Sequence, residues 1–361
     1  MNQHTRFNLP LCLKVEQDAF AKASETVGRY LPEIVGQKSM IISEQFLIER
    51  FSEELSEIKR TFGSTEVYAV EHADFDEAVK IAKMISIKDF NIIIGFGGGR
   101  VLDTAKYAAH ISKAVYICLP TSLSNDSLAS PFSVLGVQGR ERKTLPCKIP
   151  TAIIVDTDMI KNAPKTQTLS GIGDTIAKHT ALFDWKLSAK QTGTNMDDFA
   201  YAISRMSFDS VYHCDDKDLS SPTFIRILSR ALVMGGLAME IAGCSRPCSG
   251  SEHLFCHALE EYYPEIRIPH GIGVALGSVA ACVFQGRDET QLLNVLNMYG
   301  LDLNPESYGI TKEIWEDAWR RATGVRPGRV TILDSTELDS KWLEEIYDRM
   351  KAEAERKDDV K

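Results

Sequence analysis

The sequence predicts a parallel α/β domain over residues 1–160, followed by an all-helical domain over residues 161–361. In the first part, short apolar runs alternate with amphipathic helical patterns, which is typical of βαβ units and a parallel sheet covered on both faces. After Asp156 long helical patterns dominate, with no convincing strand. A chain of 361 residues is also longer than one hydrophobic core usually organises, so two domains are expected.

Apolar runs rich in isoleucine and valine, too short for helices, predict strands at residues 39–43, 67–70, 92–96, 115–119 and 152–156. Apolar residues that recur every three or four positions predict helices between these strands, at 44–62 and 75–87. The helices predicted in the second part are 174–188, 224–242, 251–263, 273–284 and 336–356. The boundary is expected near residues 159–165, where Pro164 interrupts the pattern.

Composition excludes several classes of protein. The net charge of −9 argues against a nucleic-acid-binding surface, which needs a basic excess. No stretch reaches the ~18 apolar residues of a transmembrane helix, and the first residues lack the layout of a signal peptide. We therefore expect a cytoplasmic protein whose eight cysteines are reduced. Cys244, Cys248 and Cys256 have only a C-x3-C spacing, so buried thiols are favoured over a metal cluster.

The chain is expected to bind a pyrophosphate-containing dinucleotide at a glycine-rich loop, residues 95–99. The predicted strand runs directly into Gly97-Gly98-Gly99, and a helical pattern follows. Consecutive glycines let the backbone approach a phosphate, and a helix N-terminus offers free N–H groups and the positive end of its dipole. The alternative is a tight turn without a ligand. Asp103 and Lys106, taken alone, are expected to be surface charges.

A second polar loop follows the next predicted strand and contains Thr121, Ser122, Ser124 and Asp126. Ligands of open parallel sheets bind beyond the carboxyl ends of strands, so this loop should flank the glycine loop. Its hydroxyls and its carboxylate suit the orientation of a polyol or a nicotinamide. Ordinary turn chemistry explains the same residue types equally well.

Three further segments suggest a dispersed metal site. Residues 171–174 are expected to open a helix that carries Asp174, and His253 and His257 lie one turn apart on one helix face. His270 is expected in a turn before the next helix. A carboxylate with neutral imidazoles suits zinc, nickel or iron. Partly buried, hydrogen-bonded histidines are the alternative.

Together these segments resemble the iron-dependent alcohol dehydrogenase and dehydroquinate synthase-like superfamily. Residues 97–106 are similar to its signature G-G-G-S-x-x-D-x-A-K, with Arg100 in the place of serine. Residues 170–174, 182–187 and 249–259 look like the sn-glycerol-1-phosphate dehydrogenase branch. The resemblance covers about residues 35–290, and the last ~70 residues carry nothing that matches.

The resemblance implies a Rossmann-like N-terminal domain, a helical C-terminal domain (the dehydroquinate synthase-like fold) and an active site between them. The metal ligands would be Asp174, His253 and His270, while His257 would line the substrate site and Asp126 would contact substrate or nicotinamide. The residues assigned to the cofactor are Gly97, Gly98, Gly99, Asp103, Thr121, Ser122 and Ser124.

The implied activity is a metal-dependent, NAD(P)-linked interconversion of dihydroxyacetone phosphate and sn-glycerol 1-phosphate. The cofactors would be NAD or NADP and one divalent metal ion, with zinc expected and nickel or iron as alternatives. The substrate phosphate requires a cation, for which Lys178, Arg246 and Arg267 are candidates. No nucleic-acid or membrane partner is expected, and the chain is expected to form a homo-oligomer.

Three alternatives remain. A glycerol or other polyol dehydrogenase would share the metal chemistry but need no cation for a phosphate. A dehydroquinate synthase-like cyclase would be a lyase that recycles its cofactor, and that branch usually has glutamate where Asp174 stands. A nucleotide-binding scaffold that has lost its chemistry is disfavoured by the intact candidate ligands. Residues 43–45 weakly favour NAD over NADP as the cofactor, because they include no basic side chain to bind a 2′-phosphate.

Overall fold

The computed structural model describes residues 7–137 and 141–358. The strands in these residues are β1 Cys12–Glu16, β2 Lys38–Ser43, β3 Ser64–Ala69, β4 Ile92–Gly97, β5 Val115–Pro120, β6 Phe132–Val137, β7 Glu141–Pro146 and β8 Ala152–Asp156. Six of them form one parallel sheet in the order β1-β8-β5-β4-β2-β3, and β6 pairs with β7 as an antiparallel hairpin.

Helices of the first part are α1 Ala23–Tyr30, α2 Gln45–Arg50, α3 Ser52–Arg60, α4 Phe75–Ile87 and α5 Gly99–Ser112. Those after the sheet are α6 Thr157–Lys161, α7 Lys165–Ile176, α8 Lys178–Thr192, α9 Asp198–Tyr212, α10 Pro222–Ala242, α11 Ser251–Tyr262, α12 His270–Phe284, α13 Thr290–Tyr299, α14 Lys312–Val325 and α15 Ser340–Asp358. The predicted order of a parallel sheet followed by helices is confirmed. Across the described residues, no helix combines the length and apolar character needed to cross a membrane.

Both faces of the sheet are covered, because successive side chains of a strand point to opposite faces. In β4, Ile92 and Ile94 pack into a core that includes Leu55 of α3, while Ile93 packs into a core on the other face. That second core, named here the shared core, continues into the helical part through Leu228 and beyond to α14. The predicted domain boundary near residue 160 stays a prediction.

Several elements differ from their predictions. The helix predicted over 44–62 is broken at Phe51, whose ring packs edge-on against Phe96 with 5.8 Å between centroids. The edge strand β1 and the hairpin strands β6 and β7 were not predicted. Prediction of a helix opening at 171–174 is wrong, because α7 begins at Lys165 and Asp174 lies in its last turn. His270 lies in the first turn of α12 and not in a preceding loop.

Candidate active site

The glycine loop connects the buried strand β4 to helix α5. Gly97 ends the strand, and a Cβ atom there would lie 2.8 Å from Cβ of Val101, so only glycine lets α5 fold back this closely. Gly98 precedes the first turn in an extended conformation, and both Gly98 and Gly99 line a large cleft. The loop therefore presents unpaired helix N–H groups to that cleft, an arrangement that suits a pyrophosphate.

The second polar loop lies beside the glycine loop, as predicted, because β5 pairs with β4 up to Pro120. The backbone N–H of Thr121 donates to the carbonyl of Gly97 at 3.0 Å, which ties the two loops together. Thr121, Ser122 and Ser124 line the same cleft as the glycines. These hydroxyl-bearing residues therefore share one cleft with the predicted pyrophosphate site.

The charged residues that follow the glycine loop differ in their exposure to solvent. Arg100 is exposed, lines the cleft and donates to the carbonyl of His72 at 3.1 Å. Asp103 and Lys106 are buried, which contradicts the prediction of surface charges, and they form an ion pair at 3.0 Å. Asp103 also accepts from the backbone N–H of Val134 at 3.1 Å. Asp103, assigned to the cofactor by resemblance, thus fixes the β6–β7 hairpin onto α5.

The three predicted metal ligands come together from three helices. Asp174 on α7, His253 on α11 and His270 on α12 place their ligand atoms within 4.8 Å of one another. Oδ1 of Asp174 lies 3.6 Å from Nε2 of His253. Oδ2 of Asp174 is buried and has no hydrogen-bond partner among the described residues. A buried carboxylate oxygen that accepts no hydrogen bond, close to two imidazoles, suits a divalent metal ion.

Glutamates orient both candidate histidine ligands through their second ring nitrogens. Nδ1 of His253 lies 2.9 Å from Oε1 of Glu252, and Nδ1 of His270 lies 3.1 Å from Oε1 of Glu260. Such contacts fix the tautomer of a ligating histidine, leaving Nε2 for the metal. Both candidate histidine ligands therefore have the supporting carboxylate that is usual for metal-binding histidines.

Glycines allow the helices that carry the ligands to approach closely. A Cβ atom on Gly173 would lie 2.1 Å from the carbonyl oxygen of Gly271, and one on Gly271 would lie 1.9 Å from that of Ser170. The backbone N–H of Gly271 donates to Oγ of Ser170 at 3.0 Å across the same contact. This α7–α12 contact places Asp174 next to His270.

Buried charges give the site strong electrostatics. Burial alone would raise the pKa of Asp174, but Lys178 and the histidines lower it to about 2, so the carboxylate is ionised. Burial and the nearby charge of Asp174 raise the pKa of Asp126 to about 6, against the opposing effect of Lys178. Nζ of the fully buried Lys178 lies 3.9 Å from Oδ2 of Asp174. Lys178, predicted as a candidate to bind the substrate phosphate, is therefore a buried counter-ion of Asp174 and Asp126.

His257 lies one turn after His253 and lines the cleft. Its Nδ1 lies 3.3 Å from Oε2 of Glu260, so this single carboxylate contacts both His257 and His270. Burial lowers the pKa of His257 to about 4, which keeps the imidazole neutral near pH 7. The sequence did not single out Glu260, although its spacing of three residues from His257 on α11 places both on one helix face.

One cleft of about 1530 Å³ joins these features. Its wall contains Gly98, Thr121, His257 and His270, while Asp174 and His253, 3% and 7% exposed, lie behind it. Of the other phosphate candidates, Arg267 lines the cleft, whereas Arg246 donates to the carbonyl of Val330. Four further cations of the cleft wall were not predicted: Arg50 on α2, Arg142 and Lys143 on the hairpin, and Arg326 after α14.

Comparison with known proteins identifies relatives of both the sequence and the fold. The family model described as iron-containing alcohol dehydrogenase matches residues 17–164. The NAD(P)+ glycerol-1-phosphate dehydrogenase of Sulfurisphaera tokodaii is 37% identical over 303 residues, covering 83% of each chain. The enzyme of the same name from Sulfolobus acidocaldarius is 34% identical over 309 residues, covering 85% of this chain and 86% of that protein.

Two solved structures share the fold. A probable glycerol dehydrogenase from Sinorhizobium meliloti aligns with a TM-score of 0.77 at 19% identity, over 97% of this chain and 99% of that one. The glycerol dehydrogenase of Schizosaccharomyces pombe also gives 0.77, at 21% identity, over 99% of this chain and 93% of that one. At these identities the alignments establish the architecture only.

Proposed function

Because the chain belongs to the glycerol-1-phosphate dehydrogenase branch of the iron-containing alcohol dehydrogenase family, we propose that it interconverts dihydroxyacetone phosphate and sn-glycerol 1-phosphate. The enzyme is an NAD(P)-linked, metal-dependent dehydrogenase in this proposal. One observation of the structure supports it: the glycine loop lines the same cleft as His270, and Asp174 and His253 lie directly behind its wall. A dinucleotide held at Gly98 and Gly99 would reach along that cleft toward the cluster.

The proposed chemistry is divided between the bound groups and the residues that hold them. When bound, NAD(P)H supplies a hydride for C2 of the ketone, and the metal ion supplies Lewis-acid polarisation of the C2 carbonyl. Gly98 and Gly99 bind the pyrophosphate, and Asp174, His253 and His270 hold the metal ion. Zinc suits this ligand set, as do nickel and iron.

His257 and Asp126 complete the proposed machinery. The C2 oxygen gains a proton as C2 gains the hydride; that proton comes from solvent, and His257 in the cleft wall, neutral near pH 7, is placed to relay it. Glu260 holds the His257 ring through Nδ1. Asp126, beside Lys178 and Asp174, orients the substrate or the nicotinamide.

A cofactor-oxidation screen tests the proposal. The purified protein, with its metal content measured, is given NADH or NADPH with dihydroxyacetone phosphate, dihydroxyacetone or glyceraldehyde phosphate. We expect oxidation with dihydroxyacetone phosphate and a product of sn-1 configuration. Oxidation with dihydroxyacetone alone would indicate a polyol dehydrogenase, and turnover without net change of the cofactor would indicate a lyase.

We also propose a cytoplasmic homo-oligomer. All eight cysteines are free thiols, as suits a reducing compartment. Leu11, just before the edge strand β1, and Leu13 within it are 64% and 40% exposed, an apolar edge that association with a second copy would cover. Light scattering after size exclusion checks the assembly, and a monomer at micromolar concentration would contradict it.

A further inference from the structure

We propose that Arg326, assisted by Arg142, binds the phosphate group of the substrate and thereby makes the cleft prefer a phosphorylated triose to the free polyol. The inference rests on the proposed function and adds the residues that select the substrate. Arg326 lies among the last ~70 residues of the chain, where the sequence offered no motif.

Four of the six cations of the cleft wall can be divided into two groups by their contacts. Arg50 lies over the ring of Phe51 beyond β2, and Arg100 is tied to the carbonyl of His72, so both belong to the cofactor end. Arg142 and Arg326 lie at the opposite end, next to the metal-ligand cluster. A dinucleotide phosphate and a substrate phosphate would therefore meet different cations.

Glu260 connects the second group to the cluster. Nη1 of Arg142 lies 3.3 Å from Oε1 of Glu260, and the same oxygen lies 3.1 Å from Nδ1 of His270. Burial is the main cause of the lowered pKa of His257, and the charge of Arg326 lowers it further, as expected of close neighbours. In a triose phosphate the ester carbon adjoins C2. The phosphate must therefore lie near the metal-ligand cluster, where these two arginines are.

Arg326 is held firmly in this position. It directly follows α14, whose Trp319 stacks on Phe255 of α11 with 4.5 Å between ring centroids. Phe255 lies between His253 and His257, so α14 is fixed against the helix that carries both histidines. From the other side, Nη2 of Arg326 donates to Oγ1 of Thr144 on β7 at 2.6 Å.

The guanidinium of Arg326 retains donors for a ligand. Among the residues the structure describes, no carboxylate lies within ion-pair distance of it, and Thr144 uses only one of its five N–H groups. Burial lowers the pKa of Arg326, against the charge of Glu260, which raises it, so Glu260 compensates the buried charge only in part. A half-buried cation that forms no direct ion pair is stabilised by a bound anion, and the planar fork of arginine matches a phosphate.

The test compares phosphorylated and free substrates in Arg326→Gln. With dihydroxyacetone phosphate, kcat/KM should fall about 10- to 150-fold, the range for losing a charged hydrogen bond. With dihydroxyacetone, kcat/KM should change less than about threefold, since no phosphate is present to lose a partner. Arg326→Lys keeps the charge without the fork, so an intermediate loss is expected. Arg320→Gln, on the exposed face of α14 where Arg320 pairs with Glu316, is the matched control and should leave both values unchanged.

Binding of inorganic phosphate gives a second measurement that does not depend on turnover. Calorimetry should detect phosphate binding to the wild type and to Arg320→Gln, and at least about tenfold weaker binding to Arg326→Gln. An equal loss with both substrates, or unchanged phosphate binding, would overturn the inference. A wild type inactive on dihydroxyacetone phosphate would refute the proposed function, and phosphate binding would still decide the role of Arg326. If Arg326→Gln does not fold, Arg326→Lys decides by the same two measurements.

Discussion

Gly173→Ala should separate helices α7 and α12 and so disrupt the metal-ligand cluster. The added Cβ would lie 2.1 Å from the carbonyl oxygen of Gly271, and real Cβ atoms essentially never approach closer than 3.0 Å, so the backbones must move apart by at least 3.0 − 2.1 = 0.9 Å. Metal-ligand distances tolerate only about 0.2 Å. Asp174 and His270 lie on the two displaced helices. We therefore expect metal affinity to fall at least about 10- to 100-fold.

The same substitution should lower stability. Overpacking of a closely packed contact costs about 1–3 kcal/mol, equivalent to a Tm lower by about 1–4 °C for a chain of this size. Calorimetric titration with zinc and thermal unfolding of the metal-free protein measure the two effects separately.

Gly28→Ala is the matched control, because a Cβ on Gly28 in α1 would meet no atom within 4 Å. Alanine should there stabilise the protein by about 0.5–1 kcal/mol. If Gly173→Ala bound zinc as tightly as the wild type, the close α7–α12 contact would not set the geometry of the cluster.

Three further substitutions test the site and its support. His253→Ala should lose both tightly bound metal and activity, measured by metal analysis and cofactor oxidation; a metal-free variant with full activity would refute the role of the metal. Glu260→Gln should weaken metal binding about 10- to 100-fold, because His270 loses its orienting carboxylate. Competition with a chelator measures this, and an unchanged affinity would leave Glu260 without a positioning role. Lys106→Met should cost about 3–5 kcal/mol in urea unfolding, since the buried Asp103 loses its ion-pair partner; the double variant with Asp103→Asn should recover part of that loss, and no recovery would contradict the pairing.

The sequence predicted the centre of the sheet well and its margins poorly. β4 is an unbroken apolar run because both of its faces are buried, and such runs are easy to find. β1 pairs only with β8 at the edge and mixes apolar with charged residues, so its pattern was weak. The break at Phe51 arises from a ring contact with β4, which no local pattern contains.

In the site, too, the residues found from the sequence are those that belong to local patterns. The glycine loop and the histidine pair on α11 are local patterns, and the structure places both at the cleft or directly behind it. Glu260 could have been found from its helical spacing. Arg142 and Arg326 could not, because a hairpin and the segment after α14 meet only through the tertiary fold.

The shared core has a consequence for re-engineering the enzyme. Side chains from the sheet, from α5 and from the later helices belong to one continuous apolar cluster. A chimaera in which residues 1–160 come from a relative would therefore combine two halves of the shared core whose side chains did not evolve to pack together. Cofactor preference should be altered by point substitutions along β2 and the glycine loop, leaving that interface intact.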